Sequence, residues 1–189
     1  MPATPRLPAV LSLVFATLAG CGSGGDAQRS LALDDCRLPR LATAARCGTV
    51  TVPEDRDKTG GRTIGIHVAI LPANTLSPRP DPLLILAGGP GQAASGLAPF
   101  AARLNEIRRT RDVVLVDQRG TGRSSPLLCE AYSEAGLKAA LLETDPMPRA
   151  KASAGELAKA GVDASRYTTA ALVADLEAED RQPGHLERA

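Results

Sequence analysis

Asp112-Val113-Val114-Leu115-Val116-Asp117-Gln118-Arg119-Gly120-Thr121-Gly122-Arg123-Ser124 decides how the rest of the chain is read. It is a short β-branched run that ends in a polar, glycine-containing turn. An upstream stretch repeats the arrangement: Leu83-Leu84-Ile85-Leu86-Ala87 leads into Gly88-Gly89-Pro90-Gly91-Gln92. Neither run alternates apolar with polar residues, which is the pattern of a parallel strand covered on both faces. Between them, the spacing of Leu97, Phe100, Ala101, Leu104 and Ile107 predicts one amphipathic helix over residues 96–111. Strand, helix and strand make a βαβ unit with a glycine turn at the carboxyl end of each strand, where α/β proteins place their ligands.

Working outward, Thr49–Val52 and Thr63–Leu71 read as opening strands joined by a charged turn through residues 55–61. His67 falls inside the second of these and is expected as a strand residue with a satisfied side chain. Residues 72–82 form a Pro-rich connection. Beyond Ser124, helix-prone stretches run over 130–143 and 150–160, and a further helix carries Leu172, Val173, Leu176 and Glu177, with Thr168 or Thr169 as its N-cap.

The pairing of Gly88-Gly89-Pro90-Gly91 with Asp117-Gln118-Arg119-Gly120-Thr121-Gly122-Arg123-Ser124 resembles the proline iminopeptidase and tripeptidyl aminopeptidase branch of the α/β-hydrolases. These are serine exopeptidases whose intact members take short peptides from the free amino end. The resemblance covers roughly Cys36 to Glu177. It implies an α/β fold: the N-terminal half of an α/β-hydrolase sheet with opening strands, the βαβ unit and the start of a helical cap, truncated before the nucleophile strand. The Leu83 strand would then pair with the Asp112 strand and leave its other edge bare. The resemblance also implies that the amides of Gly88 and Gly89 form one arm of an oxyanion hole, where glycine lets the backbone approach a substrate carbonyl. Asp117, Arg119, Gly120, Gly122, Arg123 and Ser124 then form a structural motif, with Arg119 bracing the loop through carbonyls or Asp117.

No triad residue is identified. A nucleophile elbow needs Gly-x-Ser-x-Gly, and Ser124, the nearest serine, is followed by Pro126 where the second glycine belongs. The chain by itself is therefore expected to be an inactive hydrolase fragment, with no cofactor and no metal. Two other readings stand beside this one. Gly89-x-Gly91-x-x-Ala94, followed by a strand ending in Asp117, fits a Rossmann-type dinucleotide-binding domain. The missing triad also permits a non-catalytic lipoprotein binding module.

Composition narrows the partners. The formal net charge of +1 gives no reason to propose nucleic acid, and two Phe, two Tyr and no Trp leave little for base stacking. Arg6 followed by the apolar run 7–20 has the form of an export signal too short to span a bilayer. Its end, Leu18-Ala19-Gly20-Cys21, resembles a bacterial lipoprotein processing site. That implies lipid on Cys21 and an exported, membrane-anchored protein facing the periplasm or cell exterior, with a plain signal peptide as the alternative. In an oxidising compartment Cys36 and Cys47 are the first choice for a disulfide, which leaves Cys129 without an assigned partner. Only His67 and His185 are available as imidazole ligands, and neither has metal spacing to a cysteine. The expected division is a signal over 1–21, a tether over 22–35, the partial hydrolase domain over 36–178 and an aberrant tail over 179–189.

Overall fold

A sheet of five strands, in the order β1-β2-β3-β5-β4, organises the chain. The computed structural model describes residues 31–89, 91–130, 133, 138, 141–142 and 144–180. The signal expected over 1–21, its Cys21, His185 and most of the helix expected over 130–143 lie outside the described residues. β1 (Asp34–Cys36), β2 (Ala45–Pro53) and β3 (Thr63–Leu71) form an antiparallel meander. β5 (Val113–Val116) then pairs antiparallel with β3, and β4 (Leu83–Ile85) pairs parallel with β5. The sheet begins at Asp34, so the tether expected over 22–35 is too long at its end. Asp34 and Asp35 pair with Cys47 and Arg46, and Leu31 and Leu33 pack on the sheet.

Strand alternation divides the core into two layers. Ala69, Leu71, Val113 and Leu115 face one side, where they meet Ala87, Ala94, Ala98 and Ala101. Val50, Val52, Ile64, Ile66, Val68, Ile70, Val114 and Val116 face the other, against Leu176. β5 is thus buried on both faces, as its unbroken apolar run requires. β4 departs from expectation: Leu84 and Leu86 are 42% and 44% exposed. It is the edge of the sheet, and its second face is not covered among the described residues.

The single helix expected over 96–111 is broken. A 3-10 turn (Ala94–Leu97) leads into α1 (Ala98–Ala101), and α2 (Asn105–Arg108) follows. The carbonyl of Ala102 accepts from the Arg108 guanidinium at 3.3 Å, and Leu104 takes a non-helical ψ of 60°. Arg108 also donates to the Pro72 carbonyl at 2.9 Å, which ties the Pro-rich connection to this segment. The expected apolar stripe survives in part: Ala101 is buried and Leu97 and Ile107 pack against the core, whereas Phe100 is 59% exposed. α3 (Met147–Lys159) and α4 (Thr169–Asp180) follow as expected in kind. The Thr168 hydroxyl accepts the Ala171 amide at 3.2 Å and caps α4. α4 continues two residues into the expected aberrant tail; 181–189 lie outside the described residues.

Cys36 and Cys47 are joined in a disulfide beside the β1–β2 pairing, with Cα atoms 5.8 Å apart. Cys129 is a buried free thiol whose Sγ lies 3.7 Å from the Ser153 carbonyl.

Candidate functional site

The glycine turn after β4 and the polar loop after β5 lie side by side because β4 and β5 are parallel neighbours. Gly89 has φ +61° and Gly91 φ +95°, backbone that L side chains rarely adopt. A Cβ on Gly88, Gly89 or Gly91 would meet nothing within 4 Å, so the turn faces open space. The amides of Gly88 and Gly89 donate to no backbone carbonyl among the described residues. They are therefore available to an external acceptor, the property an oxyanion-binding turn needs.

The loop after β5 holds this turn at both ends. The Gln118 amide Nε2 donates to the Ala87 carbonyl at 2.8 Å. Asp117, fully buried, accepts from the Ser95 amide at 2.8 Å and from the Ser95 hydroxyl at 2.9 Å. Its Oδ2 also accepts from the Arg123 amide at 3.1 Å, which closes the loop on itself. Gly122, at φ +51°, packs so closely that a Cβ would strike the Asp117 carboxylate and the Ala93 methyl. Gly120, at φ +81°, leaves room for Tyr167 and Leu127 in the same way. Both glycines are there for backbone shape and close packing.

Ser124 is fully buried and works as a latch. Its hydroxyl accepts from the His67 amide at 2.7 Å and donates to the Asp117 carbonyl at 2.6 Å. Past the Val68–Val116 pair the Asp117 amide still donates to the His67 carbonyl at 3.0 Å, and the serine hydroxyl bridges the reverse pair, the His67 amide and the Asp117 carbonyl. Ser125, at φ +49°, serves the Gly65 amide likewise at 3.2 Å. His67 departs from expectation: it is buried, but its Nε2 has no hydrogen-bond partner among the described residues. Burial holds its imidazole below the ordinary pKa; Asp117 opposes that shift and Arg123 reinforces it.

Arg119 braces the loop through a partner the sequence reading missed. Its Nε and Nη2 each meet Asp175 of α4 at 2.7 Å, with side chains 2% and 0% exposed. The expected contact with Asp117 is replaced by this pair, because Asp117 is occupied by Ser95 and Arg123. The guanidinium also donates to the carbonyls of Glu54 and Arg166, both at 2.9 Å, and its centre lies 5.9 Å from the Tyr167 ring. Tyr167 donates to Glu54 at 2.9 Å; burial first, then this bond, pushes its phenol up to about 12. Arg119 thus pins the β2–β3 turn, the motif loop and α4 together. No local signal marks Asp175, an ordinary acid within a helix.

The geometry also removes the Rossmann alternative. A dinucleotide turn opens a regular helix at the pyrophosphate and leaves its strand-end acid free for a ribose. Here Gly89-x-Gly91-x-x-Ala94 opens a four-residue 3-10 turn, and the Asp117 carboxylate is buried and engaged. The sheet is largely antiparallel as well.

No family model matches the chain. Over 95 residues, 48% of its length, it is 41% identical to the "Putative hydrolase Mb2247c" of Mycobacterium bovis (strain ATCC BAA-935 / AF2122/97). It has the same identity over the same length to proteins named "Carboxylesterase B" in Mycobacterium tuberculosis strains CDC 1551 / Oshkosh and ATCC 25618 / H37Rv. The matched segment spans only 18% of the length of each of these relatives. These likenesses, with the mixed α/β sheet, support an α/β-hydrolase-like relationship. They do not reach the aminopeptidase branch.

Proposed function

We propose that this chain supplies the oxyanion-hole half of an exported α/β-hydrolase that cleaves short peptides from their amino end through a serine acyl-enzyme. The observation that carries the proposal is the Gly88–Gly89 turn: it is exposed, its amides donate to no backbone carbonyl among the described residues, and it is held at the end of a parallel strand by the loop after β5. The aminopeptidase specificity rests on the motif resemblance, and anchoring through Cys21 rests on the Leu18-Ala19-Gly20-Cys21 pattern. No serine in the sequence lies within Gly-x-Ser-x-Gly, and Ser124 is spent as a buried latch, so this chain alone is inactive in our reading. An oxyanion arm without nucleophile and base leaves little catalysis.

The names of the relatives favour a second reading, an esterase. Chromogenic aminoacyl and tripeptidyl amides, assayed beside short acyl esters on a form extended in frame past Glu177, decide between them. Amide turnover supports the peptidase, ester turnover without amide selects the esterase, and neither removes both. Stoichiometric labelling of the 189-residue chain by a fluorophosphonate would contradict its inactivity. Replacing Cys21 by Ser tests the anchor: a Ser variant still processed and membrane-bound defeats it.

A further inference from the structure

The geometry points to Gln118 as a positioning residue that sets the direction of the Gly88 N–H, an inference that rests on the oxyanion reading of the Gly88–Gly89 turn. Ala87 and Gly88 share one peptide unit. That unit is planar, and the described chain contains no cis peptide, so the Ala87 carbonyl and the Gly88 N–H point in opposite directions. Holding the carbonyl therefore aims the amide. Gln118 holds it at 2.8 Å from a half-buried position on the neighbouring strand's extension.

Among the described residues no other hydrogen bond holds this carbonyl. The β4–β5 ladder ends at Ile85 and Leu115, two residues before Ala87. Gly88 has no Cβ, and nothing lies within 4 Å of the place where one would stand, so no side-chain packing at Gly88 fixes the peptide among the described residues. The far end is fixed separately, by the two bonds from Ser95 to Asp117. Consecutive residues 117 and 118 thus anchor opposite ends of one loop, Asp117 securing its exit and Gln118 its entrance. Because a hydrogen bond weakens steeply as its angle falls, an amide free to swing donates poorly to an oxyanion that forms at one point in space.

The test uses Gln118→Met, which keeps the bulk and removes the donor, and Gln118→Glu, which makes the donor depend on pH. In the 189-residue chain, backbone relaxation and residual dipolar couplings report the Gly88 N–H. Wild type should give an order parameter of about 0.85, and Q118M one of about 0.6 or less with altered couplings, while the Ser95 amide is unmoved. Q118E should resemble Q118M at neutral pH and recover as its carboxyl protonates and donates, a comparison made within one folded protein. In the extended form, Q118M should lose on the order of 10²-fold in kcat with KM little changed. A Gly88 vector indifferent to residue 118 in both variants overturns the inference even if acyl substrates are turned over. A vector that depends on Gln118 in a protein that turns over none keeps the positioning role and defeats the oxyanion reading instead.

Discussion

Removing the Asp175 carboxylate should cost more stability than any other single change in the motif region. Asp175→Ala leaves the Arg119 guanidinium, 2% exposed, without its two 2.7 Å charge-assisted bonds. It also strips Arg56 of a 2.6 Å partner, but that side chain is 34% exposed and water replaces much of the loss. The three carbonyls that Arg119 meets, those of Pro53, Glu54 and Arg166, cannot neutralise it. Breaking a buried pair from one side costs about 3–5 kcal/mol. Against a total of about 5–15 kcal/mol for a domain, that is a large fraction. With a urea slope of about 2 kcal/mol per molar, a loss of about 4 kcal/mol lowers the midpoint by about 2 M. The assay is urea unfolding of wild type, D175A, Arg119→Met and the double variant, followed by far-UV circular dichroism. The double variant should cost at least about 2 kcal/mol less than the sum of the singles, since the two groups act as one unit. A D175A midpoint within about 0.5 M of wild type at unchanged slope, or strict additivity in the cycle, would refute the reasoning.

Three further outcomes are expected. Ser124→Ala should cost about 2–3 kcal/mol by leaving the His67 amide and Asp117 carbonyl short of a partner; a midpoint equal to wild type in urea would show that water fills the gap. Gly122→Ala should be far more damaging than Gly60→Ala, because both have positive φ but only the Gly122 Cβ collides, with Asp117 and Ala93. Left-handed strain alone costs about 1–2 kcal/mol, so equal losses at the two sites would remove the packing argument. His67 ionises less readily folded than unfolded, so the unfolded state binds more protons below the ordinary value of 6.5. Stability should therefore be insensitive to His67 above that pH and fall as pH drops below it. His67→Leu should flatten the pH dependence just below about 6.5, and an unchanged slope there would sink the assignment.

Local pattern was enough for much of the architecture. The bounds of β3 follow from a run of β-branched residues ended by a proline, and β5 from an apolar run that suits burial on both faces. The glycines at 89, 91, 120 and 122 mark turns because only glycine enters left-handed backbone cheaply, and their φ values bear this out. The N-cap at Thr168 is equally local, a hydroxyl within reach of an amide three residues on. These features depend on neighbours in the chain, so a one-dimensional reading captures them.

What tertiary structure decided involves partners far apart in sequence. The helix over 96–111 has suitable periodicity, but Arg108 is tied to the Pro72 carbonyl 36 residues away and the segment is broken. β4 resembles a buried strand, and only its place at the end of the sheet exposes Leu84 and Leu86. Arg119 finds Asp175 across 56 residues, Gln118 finds the Ala87 carbonyl across 31, and the His67 Nε2 finds no partner among the described residues. Residue types at 117–124 announce a polar turn, but not which carbonyl each donor meets. That is settled when parallel pairing of β4 and β5 brings two glycine turns together and burial makes an unpartnered polar group costly.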